Sequence, residues 1–307
     1  MKGLIVDSNK CFALKENLTR PVAELDEVLV KVKSASVNPF DEESAAGRFD
    51  AYFAEYKVDK EVQSGLEFSG IVESDGQKFK RGDKVFGYVN MITGWKSHAE
   101  YLAINENQMA LMPNNLTFPQ AAAIPLGSLT TLVALQDVGR LKAGMKLLII
   151  GAAGGLGIQG IQIGKLLGGH VTAIAGNSQT EFLRPYGADI VHDYNQVSIK
   201  DISDTFDLIL DLSNAQNLED MKKRLTPKGM FIPAEPTQEN GGESEDPQVG
   251  YLMVMEGNFE KLSRIANWVS EGKLRAVIDK EFHFSDYLQA FSRLKEKGRR
   301  GRIILNW

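Results

Sequence analysis

The chain has 307 residues, 43% hydrophobic and 24% charged, a length at which one core usually divides into two domains and a composition ordinary for a globular protein. A formal charge of -5, with basic residues scattered except for Arg299, Arg300 and Arg302, gives no electrostatic reason for a nucleic-acid partner, and the short cluster reads as solvated surface. Cys11 is the single cysteine, which excludes an internal disulfide and a cysteine-based zinc cluster; with no membrane-spanning apolar run and no signal-peptide pattern in MKGLIVDSNK, a cytoplasmic protein is expected.

The first hundred or so residues carry short alternating runs, EVLVKVKSASV (27–37), GLEFSGIVES (65–74), GDKVFGYV (82–89) and HAEYLAI (98–104), with turn signals at Asp75-Gly76 and Gly82-Asp83. They predict a compact antiparallel β-domain. In LMPNNLTFPQAAAIPLGSLTTLVALQDV, Pro113 and Pro119 bracket a change to helical period, which places a domain boundary near residue 119. From Lys146 the all-apolar KLLIIG predicts a strand covered on both faces. A helix over 156–168, the strand HVTAIAG, the helix TEFLRPYG, the strands ADIVHDY and FDLILDLS, the helix NLEDMKKRL and the strand GMFIPA follow. Such alternation predicts a doubly wound parallel sheet. The polar PTQENGGESEDPQ (236–248) reads as a mobile, solvated loop. Beyond it FEKLSRIANWVSEGKL has helical spacing, and RAVIDKEFHF and RGRIILNW read as strands that rejoin the first domain.

GAAGGLGIQG (151–160) contains a literal G-x-G-x-x-G at Gly155, Gly157 and Gly160. The strand KLLIIG ends at about Gly151, so that match starts too late and falls inside the following helix. The register that fits a phosphate turn is Ala152, Gly154 and Gly157, with Gly155 as an extra small residue. Backbone N–H groups from Gly154 through Leu156 to Gly157 then face a pyrophosphate at the positive end of a helix, and Gly160 becomes a packing position. A dinucleotide cofactor is expected. The second strand ends in AIAGNSQTE, with Gly176, Asn177 and Ser178 where an acid would bind the adenosine ribose of NADH. The missing acid permits a 2′-phosphate, so NADPH is favoured over NADH, with Arg184 and Tyr194 as the nearest contacts.

These motifs, together with SVNPFDEESAAGRF (36–49), RGDKVFG (81–87), AAAIPLGSLTTLVAL (121–135), GADIVHDY (187–194), EGKLRAVIDKEF and GRIIL, resemble the medium-chain dehydrogenase/reductase superfamily nearly end to end. Within it the chain is similar to the zinc-independent, zeta-crystallin-like quinone oxidoreductases. The resemblance implies an α/β protein: a Rossmann dinucleotide-binding domain (120–253), a GroES-like β-barrel catalytic domain (1–119, completed by 254–307), a substrate cleft between them, and a homodimer. It implies that Asn38 and Asp41 line the cleft beside the nicotinamide and that Thr130 contacts the cofactor. Met253, Val254 and Met255 would bring backbone against the carboxamide, and Arg302 would lie near the adenine end. Relatives often carry a tyrosine where this chain has Glu43, which leaves Tyr52 and Tyr88 as substitute proton donors by nearness in sequence alone.

Zinc-dependent members place a histidine in a G-H-E motif, and here the stretch reads Gly65-Leu66-Glu67. The histidines, at 98, 170, 192 and 283, lack ligand spacing. Metal-free hydride transfer to a quinone or α,β-unsaturated carbonyl is therefore expected. Two alternatives stay open: an enoyl-thioester reductase, and a non-catalytic NADPH-binding redox sensor.

Overall fold

The computed structural model describes residues 1–307 apart from 58–60, 63, 177–178 and 242–243. The chain divides into two units. Unit 1 comprises Met1–Leu129, Met255–Lys297 and Arg302–Trp307, and unit 2 comprises Thr130–Val254 with Gly298–Gly301.

Unit 1 begins with an antiparallel hairpin of β1 (Gly3–Val6) and β2 (Phe12–Lys15). There follow β3 (Glu27–Val37), α1 (Pro39–Ala45), α2 (Asp50–Glu55), β4 (Glu67–Val72), β5 (Lys84–Tyr88), β6 (Tyr101–Asn105), β7 (Met109–Leu111) and α3 (Phe118–Ala122). β3 organises the sheet because alternate residues are buried along most of its length, so both of its edges can be paired without exposing an apolar face. One edge carries β4; the other carries β6 opposite Glu27–Lys31.

Helix α4 (Pro125–Leu132) leads into unit 2, whose elements are β8 (Lys146–Ile150), α5 (Gly155–Leu166), β9 (His170–Ala175), α6 (Thr180–Leu183), β10 (Ile190–Asp193), β11 (Phe206–Asp211), α7 (Leu218–Lys222) and β12 (Leu225–Pro233). The strands pair in parallel in the order β10-β9-β8-β11-β12, which is doubly wound with its switch point between β8 and β11. The apolar stretches 147–150 of β8 and 208–210 of β11 are buried on both faces. The 236–248 loop, outside 242–243, is tethered rather than loose. Asn240 is buried, its Nδ2 donates to Glu235 O at 2.8 Å, and Leu218 N donates to Glu239 O at 3.1 Å.

The chain returns to unit 1 through α8 (Phe259–Ser270), β13 (Ile278–His283), α9 (Tyr287–Lys295) and β14 (Arg302–Asn306). β14 pairs antiparallel with the end of β3, opposite Ser34–Val37, and parallel with β13. Several elements lie outside those expected from the sequence: the β1–β2 hairpin, α1, α2, β7 and α9. Helix α9 is short, yet Ala290, Phe291 and Leu294 sit in one apolar cluster with Leu4, Val37 and Leu305. The unit division falls at Leu129, not at residue 119, because α3 packs on β3 and β4 and buries Ala122 and Ala123 against Ile304. Among the described residues one helical stretch, Phe118–Val138, is long and apolar enough to cross a membrane, and most of it is buried inside the protein.

Helix α5 approaches the turn that follows β8 as closely as backbone allows. A Cβ on Gly157 would lie 2.5 Å from Ala152 Cα and C and from Gly151 O, whereas one on Gly160 would meet only Ile149 Cδ1 at 3.3 Å and Thr131 side-chain carbons from 3.4 Å. Gly157→Ala is therefore expected to lower the unfolding free energy by about 1–3 kcal/mol. Gly160→Ala should shift it by less than about 1 kcal/mol, the added clash being offset by helix propensity. Chemical denaturation of the two variants checks this; equal losses would show that the crossing at Gly157 is not the tight point.

Candidate functional site

In unit 2 the turn after β8 has the geometry of an anion site. Gly151 takes φ +77° and Gly154 stands at the N-cap of α5 in extended backbone, so Gly155, Gly157 and Gly160 all lie within the helix. Buried Ala152 donates its N–H to Ile174 O at 3.1 Å, which seats the turn against β9. The first helical bond runs from Ile158 N to Gly154 O at 3.0 Å. The N–H groups of Gly155, Leu156 and Gly157 precede it, and no side chain caps the helix. A Cβ on Gly154 would meet only Gly151 O, at 3.6 Å. Uncapped N–H groups, the helix dipole and open space at Gly154 fit a pyrophosphate.

The parallel pairing of β9 with β10 brings two expected cofactor residues together. Tyr194 N donates to Ala175 O at 3.1 Å, and a Cβ on Gly176 would lie 3.1 Å from the Tyr194 hydroxyl. Asn177 and Ser178 lie outside the described residues. Arg184 follows α6, where its Nε pairs with Glu181 Oε1 at 3.4 Å. Thr130 is half-buried on α4, and Met253 is half exposed near the end of unit 2. Met255 belongs to unit 1, where its carbonyl accepts from Met91 N at 2.7 Å.

Unit 1 holds a buried polar network that the sequence did not announce. Asn38 caps the start of α1, with Pro39 next in the helix, and Asp41 follows in its first turn. The Asp41 carboxylate accepts from Asn38 N at 2.8 Å and from Gly65 N at 2.6 Å, and Gly65 takes φ +92° to turn the chain into β4. Burial pushes the Asp41 carboxyl above its ordinary range; His98, the Gly65 and Asn38 amides and Arg302 pull against that. With no exposed surface and both oxygens committed to backbone, Asp41 is a positioning group and does not line a cleft as expected.

Glu67, on β4 and fully buried, accepts from Leu126 N at 2.8 Å, from the Ser36 hydroxyl and from Arg302 Nη2. Arg302 Nη2 also donates to Ser36 Oγ at 3.1 Å and to Asn38 Oδ1, while Asn38 Nδ2 donates to Ser36 Oγ at 3.1 Å. His98 Nε2 faces the Ser36 carbonyl at 2.9 Å and so carries a proton, and Nδ1 lies in hydrogen-bond contact with the Ser64 hydroxyl at 3.0 Å. Burial pulls the Arg302 guanidinium down to about 10, with Asp41 opposing, so it stays charged at neutral pH. The expected adenine-end role of Arg302 is corrected accordingly. The side chain is 6% exposed inside unit 1, because a desolvated Glu67 requires a cation there. Of the tyrosines, Tyr52 stands half exposed on α2, and Tyr88 is buried, burial and then Glu256 pushing its phenol upward. Sequence reasoning missed Ser36, Glu67 and His98 as a set; the available signal was a glutamate at the head of the largely apolar run EFSGIV.

Leu66 is buried beside Glu67, and among the described residues no three His, Cys, Asp or Glu side chains converge on a point that could hold a metal. The donor set does not fit a zinc site.

Two family models match the chain, the alcohol dehydrogenase GroES-like domain over residues 24–142 and the zinc-binding dehydrogenase over residues 186–305. The chain is 31% identical to the 2-methylene-furan-3-one reductase of Solanum lycopersicum and 30% identical to the chloroplastic NADPH-dependent alkenal/one oxidoreductase of Arabidopsis thaliana. Each alignment covers 95% of this chain and 75% of the relative. The fold is similar to that of the quinone oxidoreductase from Coxiella burnetii, with a TM-score of 0.87, 27% identity and coverage of 100% of this chain and 99% of that one.

The Glu67–Arg302 pair yields a stability prediction. Glu67→Leu leaves a buried guanidinium without its counter-charge and is expected to cost about 3–5 kcal/mol. Adding Arg302→Met should recover part of that loss, since both charges are then gone. Denaturation of the single and double variants measures the coupling; additive losses would mean that the two side chains do not act as a pair.

Proposed function

The chain belongs to the medium-chain dehydrogenase/reductase superfamily, in its quinone oxidoreductase branch, and from that premise we propose that it transfers hydride from NADPH to a quinone or an α,β-unsaturated carbonyl without using a metal. The observation that carries this is the uncapped start of α5 at open Gly154, next to the switch point of a doubly wound sheet. Relatives named as alkenal/one and furanone reductases support the acceptor class.

The bound cofactor supplies the hydride, and the protein supplies alignment and electrostatics. In our assignment the amides of Gly155, Leu156 and Gly157 hold the pyrophosphate, with Ala152 and Gly154 letting it approach. Gly176 and Tyr194, with Asn177 and Ser178 by position, meet the adenosine ribose, and Thr130, Met253 and Met255 serve the remainder of the cofactor. No acid stands at the end of β9 to repel a 2′-phosphate, which supports NADPH. Asn38 is the unit 1 side chain assigned to the substrate side, its amide held in one orientation by Ser36 and Arg302. Quinones and enones spread the incoming charge onto a distant oxygen, so a weak donor or water suffices where zinc would otherwise be needed. Leu66 and the lack of converging ligands among the described residues support that metal-free route. Tyr52, exposed, remains assigned as the candidate proton donor; buried Tyr88 is not.

The test is NADPH and NADH oxidation by chelator-treated protein with naphthoquinones, short enones and a crotonyl thioester. Turnover of quinones or enones is expected, faster with NADPH and unchanged by chelation. NADPH binding with no turnover of any acceptor would favour the redox sensor. A crotonyl thioester reduced far better than the rest would favour the enoyl-thioester reductase. One equivalent of tightly bound metal would overturn the metal-free route.

A further inference from the structure

The basic cluster near the C-terminus does not end as solvated surface on unit 1. After α9 the chain crosses to unit 2 for Gly298–Gly301 alone and then returns as β14. Within unit 2, Gly301 N donates to Ala153 O at 3.1 Å and Gly301 forms a parallel bridge with Gly154, so this end of the segment lies along the turn before α5. At its other end Arg299 O accepts from Gln179 Nε2 at 2.9 Å, and the Arg300 guanidinium stands 4.8 Å over the Phe182 ring. Gln179 is buried just beyond the end of β9, and Phe182 lies on α6. Four residues therefore run from the phosphate turn to the end of the second strand, which is the span along which a dinucleotide lays its adenosine ribose.

That span needs a cation if the ribose is phosphorylated. A phosphate monoester carries close to two negative charges, and guanidinium forks match its oxygens. Between Gly176 and Thr180 the sequence has no lysine or arginine, and Arg184, the basic residue just past α6, is engaged by Glu181. The other acid nearby, Asp193 at the end of β10, is buried and accepts from Asn195 N at 3.0 Å.

We propose that Arg299 and Arg300 determine cofactor specificity by binding the 2′-phosphate of NADPH, delivered to the Rossmann unit by the C-terminal segment. The proposal rests on the dinucleotide reading above. It assigns the selectivity to residues remote in sequence from the second-strand turn, and it explains why the segment pairs with Ala153 and Gln179 rather than continuing directly from α9 into β14.

Calorimetric titration of the full chain with NADPH, NADH, 2′,5′-ADP and 5′-AMP tests it without relying on turnover. The wild type should bind NADPH over NADH and 2′,5′-ADP over 5′-AMP, with both preferences weakening as salt rises. In Arg299→Gln/Arg300→Gln, NADPH and 2′,5′-ADP should weaken by about 10–100-fold while NADH and 5′-AMP stay within about two-fold. Arg299→Lys/Arg300→Lys should keep most of the preference. Should the double glutamine variant fail to fold, Arg300→Gln alone, at an exposed position, is expected to lose part of the preference. Unchanged NADPH affinity, equal weakening of NADH and NADPH, or a wild type indifferent to the 2′-phosphate would each overturn the proposal while leaving dinucleotide binding intact. A wild type that binds neither dinucleotide would overturn the dinucleotide reading as well.

Discussion

A carboxylate with no exposed surface, Glu67, is the constraint around which unit 1 is arranged. Its partner Arg302 sits on β14, two strands away in the sheet, and Ser36 on the intervening β3 bonds to both. A buried ion pair contributes little net stability against an apolar replacement, because desolvation consumes the Coulomb gain. It is far more exacting about register. A one-residue slip of β14 would turn Arg302 to the opposite face and strand the glutamate. From that pair the order spreads outward: through Asn38 to the start of α1, through Leu126 N to the start of α4, and from α1 through Asp41 to the left-handed Gly65 that opens β4.

Unit 2 answers a different demand with backbone instead of side chains. Its strands are apolar because helices cover both faces, so the polar chemistry is displaced to the strand ends. At those ends small residues matter for what they leave uncovered. Gly157 lets α5 close on the turn that follows β8, Gly154 leaves the helix start accessible, and Gly176 leaves the Tyr194 hydroxyl against bare backbone. A fold of this kind can hold a phosphorylated cofactor while contributing almost no charged side chain from the turn itself, and the arginines supplied by the C-terminal segment compensate for that lack.

How much of this could be read from the residues alone varies with the physics. Strongly periodic segments, such as EVLVKVKSASV and KLLIIG, announce their type because burial on one or both faces fixes the pattern. The start of the helix after KLLIIG followed from where that run ends, and α5 begins at Gly155. Helix α9 stayed hidden because it is nine residues long and its core-facing residues Ala290, Phe291 and Leu294, with Tyr287 packed partly against them, are interleaved with polar ones. Asp41 and Arg302 were assigned by resemblance, which carries over residue types but not burial. Their actual partners, the Gly65 amide and Glu67, lie at or beside the start of β4, distant in sequence from each. The unit boundary shifted because α3, helical in period like α4 after it, packs on the β-strands before it.

The separation of Glu67 from Arg302 along the chain has a cost in time. A ribosome adding roughly 5–20 residues per second places on the order of ten to fifty seconds between the two. During that interval the nascent chain can complete the parallel sheet of unit 2, whose strands all lie within one continuous stretch. The edge of β3 at Ser34–Val37 has meanwhile no β14 to cover it, and the glutamate has no cation. The first domain to be synthesised is thus the last to close, and its unpaired edge is the place where a newly made chain is most open to wrong partners or to chaperones.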